Sequence, residues 1–161
     1  MTRFTGPELL DESQVVDGFD CGDDILNRWL VLRASRNQVE GSSRTWVVTD
    51  GDRVIAFYAS STAVIFRAAA TKRAARNQPE PLPALLLGRL AVDRQYHGEG
   101  LGAALLKLFI SKAIEVSRIT GVRVLLVHAK SHKAAAFYRR FDFEPSPIDE
   151  LTLMMLVKDL R

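Results

Sequence analysis

Two dense apolar runs, residues 85–92 and 122–129, lack the alternation of a half-exposed strand, and each reads as a strand covered on both sides. Between them the period becomes helical. Over residues 100–120, Lys107, Ser111, Glu115 and Arg118 form a polar stripe amid Leu101, Leu105, Leu108, Phe109, Ala113 and Val116, and Gly121 is placed as the C-cap. Strand, helix and strand in that order predict a right-handed crossover and a parallel pair. Upstream, Ile25, Leu26, Trp29, Leu30 and Leu32 keep helical spacing within residues 23–38, with Asp23 and Asp24 at the start and Arg33 and Arg36 near the end, which complements the helix dipole. Residues 45–49 and 54–62 are rich in β-branched and aromatic side chains, and Asp50-Gly51-Asp52 between them predicts a hairpin. Residues 1–20 offer little beyond a short strand around 14–16. Downstream, Ser131 is placed as the cap of a helix over 133–141 that buries Ala134, Phe137, Tyr138 and Phe141; Pro145 and Pro147 then end that unit, and residues 151–157 form a closing antiparallel strand. The sum is a mixed α/β sheet with helices on both faces, in one domain spanning 1–161, whose two parallel strands can splay around a ligand.

With 161 residues, 47% of them hydrophobic and 25% charged, the chain has the make-up of one soluble globular domain. Its single cysteine, Cys21, cannot form an internal disulfide, and no apolar run reaches membrane-spanning length, so a cytoplasmic setting is expected. The net charge of +3 is modest but unevenly spread. Arg67, Lys72, Arg73 and Arg76 occur with no acid before Glu80, and Pro79, Pro81 and Pro83 prevent a long helix. A basic loop or short helix next to a buried strand favours an anionic substrate over a merely solvated face. Arg33 and Arg36 are either a solvated helix end or a second part of that surface.

The glycine cluster between strand and helix carries the most specific chemistry. In Gln95-Tyr-His97-Gly98-Glu99-Gly100-Leu101-Gly102, glycines on alternate positions let successive N–H groups turn inward, and the following helix adds its dipole and unpaired first-turn donors. That is a cradle for a pyrophosphate. No Gly-Lys-Ser/Thr follows, which excludes the lysine-bearing phosphate loop. A dinucleotide site wants an acid about twenty residues on, at a second strand, and position 120 falls at a helix end instead.

The pattern Gln95-x-x-Gly98-x-Gly100 after Leu90-Ala91-Val92 resembles the acetyl-coenzyme A signature of GNAT-type N-acetyltransferases. Ser131-x-x-Ala134-x-x-Phe137-Tyr138, followed by Phe141-Asp142-Phe143, is similar to a second motif of that family. The resemblance implies acetyl-CoA as cosubstrate, with no metal. It implies a pantetheine arm hydrogen-bonded to the backbone of Leu90, Ala91 and Val92, a pyrophosphate held around His97, Gly98, Glu99, Gly100, Leu101, Gly102 and Ala103, and contacts from Gln95 and Ser131. It also implies direct attack by an amine, with Tyr138 as the general acid that protonates the leaving sulfur. Three positions depart from the family pattern: Ser131 stands for the usual asparagine, Asp142 for a glycine, and His97 where other residues are frequent.

No carboxylate lies in residues 85–92 to serve as base, and an α-amine with a pKa near 8 needs less help than a lysine-type amine near 10.4. Arg89 in that strand must pair with an acid such as Glu99 or face an anionic substrate. His128 reads as a hydrogen-bonded core histidine rather than a base, and no histidine or cysteine spacing suits zinc.

A narrower resemblance, to the tRNA-acetylating toxins of bacterial toxin–antitoxin pairs, rests on Gly18-Phe-Asp-Cys21, Asn27-x-Trp-Leu30, the insert ending in Pro81-Leu-Pro83, Leu87-Gly-Arg-Leu-Ala-Val-Asp93, Val127-His-Ala129 and Phe143-x-Pro-Ser-Pro147. It implies acetylation of the α-amino group of aminoacyl-tRNA, with Arg33, Arg36, Arg67, Lys72, Arg73, Arg76 and Arg89 toward the tRNA. It further implies a homodimer and a ribbon-helix-helix antitoxin through which operator DNA is bound. The alternatives are an acetyltransferase of small amines or protein N-termini, and a non-catalytic acyl-CoA-binding domain.

Overall fold

The computed structural model describes residues 4–160. Along them run β1 (Phe4–Leu9), α1 (Asp24–Leu32), α2 (Ala34–Glu40), β2 (Arg44–Asp50), β3 (Arg53–Ile65), α3 (Lys72–Ala75), β4 (Leu82–Val92), α4 (Leu101–Ser117), β5 (Val124–His128), α5 (His132–Arg139), β6 (Glu144–Ser146) and β7 (Asp149–Leu156). The strand order is β1-β2-β3-β4-β5-β7-β6. The β4–β5 pair is parallel, and β1–β2, β2–β3, β5–β7 and β6–β7 are antiparallel, which makes the sheet mixed. The chain forms two compact units, residues 1–61 with 88–108 and residues 62–87 with 109–161.

In the first unit the expected hairpin forms, with longer strands than the sequence pattern marks. Asp23 caps α1 by accepting the N–H groups of Ile25 and Leu26. The single helix expected over 23–38 is two helices, broken at Arg33, where no glycine or proline signals a break. The cause is tertiary. The break seats Ala34 in the same cluster as Trp29 and Leu30. It also brings the Gln38 amide to the Leu10 carbonyl (2.7 Å) and the Thr45 N–H (2.9 Å). Ile25 and Leu32, expected on the buried stripe, are 78% and 61% exposed. Phe19 meets Phe57 edge-on and Trp29 stacks on it, each pair contributing about 1 kcal/mol beyond area burial. Strand β1 escaped the sequence reading because five of its six residues are exposed, so no hydrophobic period marks it. The short strand expected around 14–16 is one bridge, Val15 to Arg53.

Asp93, which follows β4 directly, is 2% exposed. Its Oδ2 accepts the Asp20 N–H (3.1 Å) and faces Arg53 Nη2 (3.4 Å), while its Oδ1 accepts the Gln95 N–H (3.0 Å). Its own N–H donates to the Ile55 carbonyl at 2.8 Å. Arg94 reaches back to Asp20 Oδ2 at 2.6 Å, and Asn27 holds Asp20 Oδ1 (3.2 Å) and the Cys21 N–H (2.8 Å). The N–H of Gly22 and the Asn27 amide, joined by Arg94, hold the Asp20 carboxyl below the usual carboxylate range. One carboxylate thus ties the end of β4 to β3 and to the loop before α1.

In the second unit, Ala84 to Leu87 pair with Val124 to Val127; this parallel ladder ends at Leu87 and Val127, although β4 continues to Val92. Ile65, Ala70, Ala74, Leu82, Val124, Leu126 and Met154 form its core. The polar stripe of α4 is exposed as expected, and Leu105, Leu106, Phe109 and Ala113 are buried. Gly121 is not the expected left-handed cap; α4 ends at Ser117 and unwinds through Thr120, whose N–H still reaches Val116. Ser131 caps α5 by accepting the Ala134 N–H. On that helix Ala135 and Tyr138 are buried, whereas Ala134 and Phe137, both expected inside, are only half-buried. The closing strand is β7, antiparallel to β5 as expected.

Replacing Asp93 by alanine leaves the N–H groups of Asp20 and Gln95 without their acceptor and takes the carboxylate from Arg53, which keeps the Gly18 carbonyl, a loss of about 3 kcal/mol. At 2–4 °C per kcal/mol for a chain of this size, the melting temperature is expected to fall by roughly 6–12 °C. Calorimetric unfolding showing a shift under about 2 °C would remove Asp93 from this role.

Candidate active site

The turn after β4 is built by backbone geometry. Residues Arg94–Tyr96 form one 3-10 turn, and the chain then passes Gly98 and Gly100 at φ of 82° and 81°, angles that a side chain would strain. Apart from the chain neighbours, no atom lies within 4 Å of where a Cβ would stand at either glycine, so the turn is open on that side. The Ala104 N–H donates to the Gly100 carbonyl (3.0 Å), the first rung of α4, which leaves the N–H groups of Leu101, Gly102 and Ala103 ahead of the helical ladder. Donors in that position suit a diphosphate, because the helix dipole adds its positive end there. Around this turn Gln95 gives its N–H to Asp93, His97 Nε2 meets the Val92 carbonyl at 2.7 Å, and the Tyr96 hydroxyl donates to Asp50 at 2.6 Å. Leu90 and Val92 are half-buried, Ala91 is buried in the core cluster, and Glu99 is exposed.

Arg89 also belongs to the first unit. Its guanidinium carbon lies 4.3 Å from the centre of the Trp29 ring, a partner that neither expectation, an acid such as Glu99 or an anionic substrate, had named. Half-burial lowers its pKa from the usual arginine value. Arg33, between the two helices, and Arg36, which pairs with Glu40 at 3.6 Å, are both exposed in the same unit.

Tyr138 lies in the second unit on α5, 8% exposed, with its ring edge-on to Phe143. Burial pushes its phenol well above the ordinary value of 10, so it remains a proton donor throughout the neutral range. Ser131 spends its oxygen as a helix cap, accepting from Ala134 at 3.1 Å. His128 departs from its expected core position: it is hydrogen-bonded but exposed, at the end of β5.

The basic insert is more ordered than its composition suggests. Arg67 donates to the carbonyls of Ala75 and Gln78 and its backbone N–H to Glu80, so it staples the insert together. Arg73 grips Asp159 with both terminal nitrogens, which raises its pKa and holds the Asp159 carboxyl low. Two cations that the sequence reading missed join them. Arg123 and Lys158 line a pocket of about 240 Å³ with Arg73, Arg76, Asn77 and Gln78. The Arg123 guanidinium is aimed by the carbonyls of Ala74 (3.0 Å) and Arg73 (3.2 Å). No local signal marks Arg123 or Lys158, which are distant in sequence from the insert. Lys72 is exposed and lines a neighbouring hollow with Arg67 and Arg76.

Residues 41–145 match the acetyltransferase (GNAT) domain family. A tRNA-acetylating toxin of Mycobacterium tuberculosis is 42% identical over 161 residues, covering 100% of this chain and 97% of that one. Among solved structures, AtaT complexed with acetyl-methionyl-tRNAfMet superposes with a TM-score of 0.87 at 28% identity over 95% of each chain. A tyrosine-to-phenylalanine variant of AtaT, bound to the C-terminus of the antitoxin AtaR and to acetyl-CoA, gives 0.83 at 27% identity over 99% of this chain and 96% of that one. With the mixed sheet and an open glycine turn at a helix entrance, these matches make the chain a member of the GNAT acetyltransferase family, an N-acetyltransferase that takes acetyl-CoA as cosubstrate.

Proposed function

We propose that this protein is the toxin of a toxin–antitoxin pair and acetylates the α-amino group of aminoacyl-tRNA, which removes that tRNA from translation. The observation that carries the reading is the cationic pocket of Arg73, Arg76, Arg123 and Lys158, in a chain whose 42% identical relative is a tRNA-acetylating toxin. Asp159 offsets one of the four charges, and the remaining three suit a polyphosphate backbone. Arg33, Arg36, Arg67, Lys72 and Arg89 belong to the same reading, with Arg67 and Arg73 acting chiefly by holding the insert in shape.

Acetyl-CoA, when bound, supplies an acetyl group activated as a thioester. The first unit's part is to hold it. Gly98, Gly100 and the N–H groups of Leu101, Gly102 and Ala103 receive the diphosphate, with His97, Glu99 and Gln95 around it, and the backbone of Leu90, Ala91 and Val92 runs beside the pantetheine arm. Ser131 contributes from the cap of α5. Tyr138 holds a proton until the sulfur needs it, and its burial keeps that proton in place at neutral pH. Strand β4 carries no carboxylate, which favours an α-amine that is already partly neutral. In the same reading the protein is a cytoplasmic homodimer and is neutralised by a ribbon-helix-helix antitoxin, through which the pair reaches operator DNA.

Charged total tRNA incubated with labelled acetyl-CoA, then analysed by mass spectrometry, is expected to carry the label on its aminoacyl end. Tyr138→Phe should retain acetyl-CoA binding and lose turnover by on the order of 10²-fold or more. Label confined to small amines or protein N-termini would contradict the tRNA assignment, and unchanged turnover would return Tyr138 to a packing role.

The cationic surface has its own test. A Lys72→Ala, Arg76→Ala, Lys158→Ala variant is expected to bind tRNA more weakly, with a log–log salt slope shallower by about 2–3. Wild-type affinity and slope would show that these side chains do not meet phosphates.

A further inference from the structure

The family reading leaves the amine's proton without a destination, because β4 offers no carboxylate. A group able to take it stands at the end of β5. His128 Nδ1 lies 3.1 Å from Thr152 Oγ1, its cross-strand partner, and Thr152 Oγ1 lies 2.8 Å from Asp149 Oδ2. Asp149 also accepts the Leu151 N–H at 2.9 Å. That bond first, then the Thr152 hydroxyl, with His128 as a smaller influence, holds the Asp149 carboxyl below the usual range.

These contacts fix the hydrogens. An ionised carboxylate only accepts, so the Thr152 hydroxyl donates to Asp149 and turns a lone pair toward the ring. His128 Nδ1 must then be the protonated nitrogen, which leaves Nε2 as the free lone pair in the neutral ring. The residue is exposed at the end of β5, so the ring is not sealed in the core.

Its place in the fold suits the role. His128 is the first residue beyond the parallel β4–β5 ladder, which ends at Val127, and ligands of open α/β sheets gather at the carboxyl ends of parallel strands. It shares a strand face with Val124 and Leu126, the face that packs against Ala70, Ala74 and Ala75 of the basic insert. The helix that follows β5 is the one carrying Tyr138.

We propose that His128 is the base of acetyl transfer, with Nε2 as the proton acceptor and Thr152 and Asp149 as positioning residues. The proposal rests on the acetyl-transfer reading and supplies its missing partner. As the amine nitrogen bonds to the acetyl carbon and the carbon–sulfur bond breaks toward sulfur, the amine's proton passes to His128 Nε2 and the Tyr138 phenol gives its proton to sulfur. Water then returns both residues to their starting states. Asp149 on β7 is a charged group that acts on the ring, and the His132–Glu150 pair, at 3.6 Å, joins the start of α5 to β7.

Two measurements test this. Long-range nitrogen–proton NMR on the free, histidine-labelled protein, assigned with His132→Gln and His97→Gln, should find neutral His128 as the Nδ1–H tautomer, and Thr152→Val should shift it toward Nε2–H. An Nε2–H tautomer in the wild type would overturn the proposal without touching the tRNA assignment. In transfer assays on charged tRNA, His128→Gln should lower kcat by on the order of 10²-fold with the KM for acetyl-CoA unchanged. A His128→Gln kcat within about twofold of wild type would equally sink the proposal. A wild type that acetylates other amines but not charged tRNA would overturn the substrate reading alone, and the same comparison would then be run on those amines.

Discussion

A buried carboxylate needs every lone pair answered, and Asp93 answers its own with Asp20, Arg53 and Gln95, three separate pieces of the first unit. Through one side chain the end of β4 is bound to Arg53 on β3, to Asp20 in the loop before α1, and to Gln95 at the start of the glycine turn. The consequence reaches function through geometry. A turn whose glycines take left-handed angles has little side-chain packing of its own, so its position is set by what holds its two ends. Asp93 holds one end, and the first rung of α4 holds the other.

The same node explains residues that the narrower resemblance rests on. Asp20 and Asn27 form a local lattice that docks onto Asp93 and Arg94. Phe19 and Trp29 pack on Phe57, and Trp29 also takes Arg89 on its face. In the first unit these motif residues are framework, fixing the loop before α1 against the end of β4.

Elements with a strong period were legible: α4 with its polar stripe, the β2–β3 hairpin, the parallel strands and the capped α5. Three features were not, each for a physical reason. Strand β1 lies almost wholly exposed, so alternation never marked it. The break at Arg33 comes from what α2 must reach, Leu10 and Thr45, and nothing local announces it. Arg123 and Lys158 join the insert's pocket through tertiary folding alone. At the site, the glycine turn and the buried tyrosine helix could be read from spacing. Which cations are free could not, because Arg67 and Arg73 are engaged by carbonyls and by Asp159. His128 was misjudged for a related reason: a lone histidine in an apolar strand reads as core, and only the end of the ladder exposes it.

The account depends on an open glycine turn gripping the diphosphate of acetyl-CoA. Isothermal titration of acetyl-CoA into the wild type and into Gly100→Val, with both melting temperatures recorded, tests this directly. A side chain at a φ of 81° strains the turn and crowds its open side. The account expects measurable heat with the wild type and an affinity at least about tenfold weaker in the variant, equivalent to about 1.4 kcal/mol, while the variant remains folded. Equal affinity in the two proteins, or no heat with a folded wild type, would contradict it.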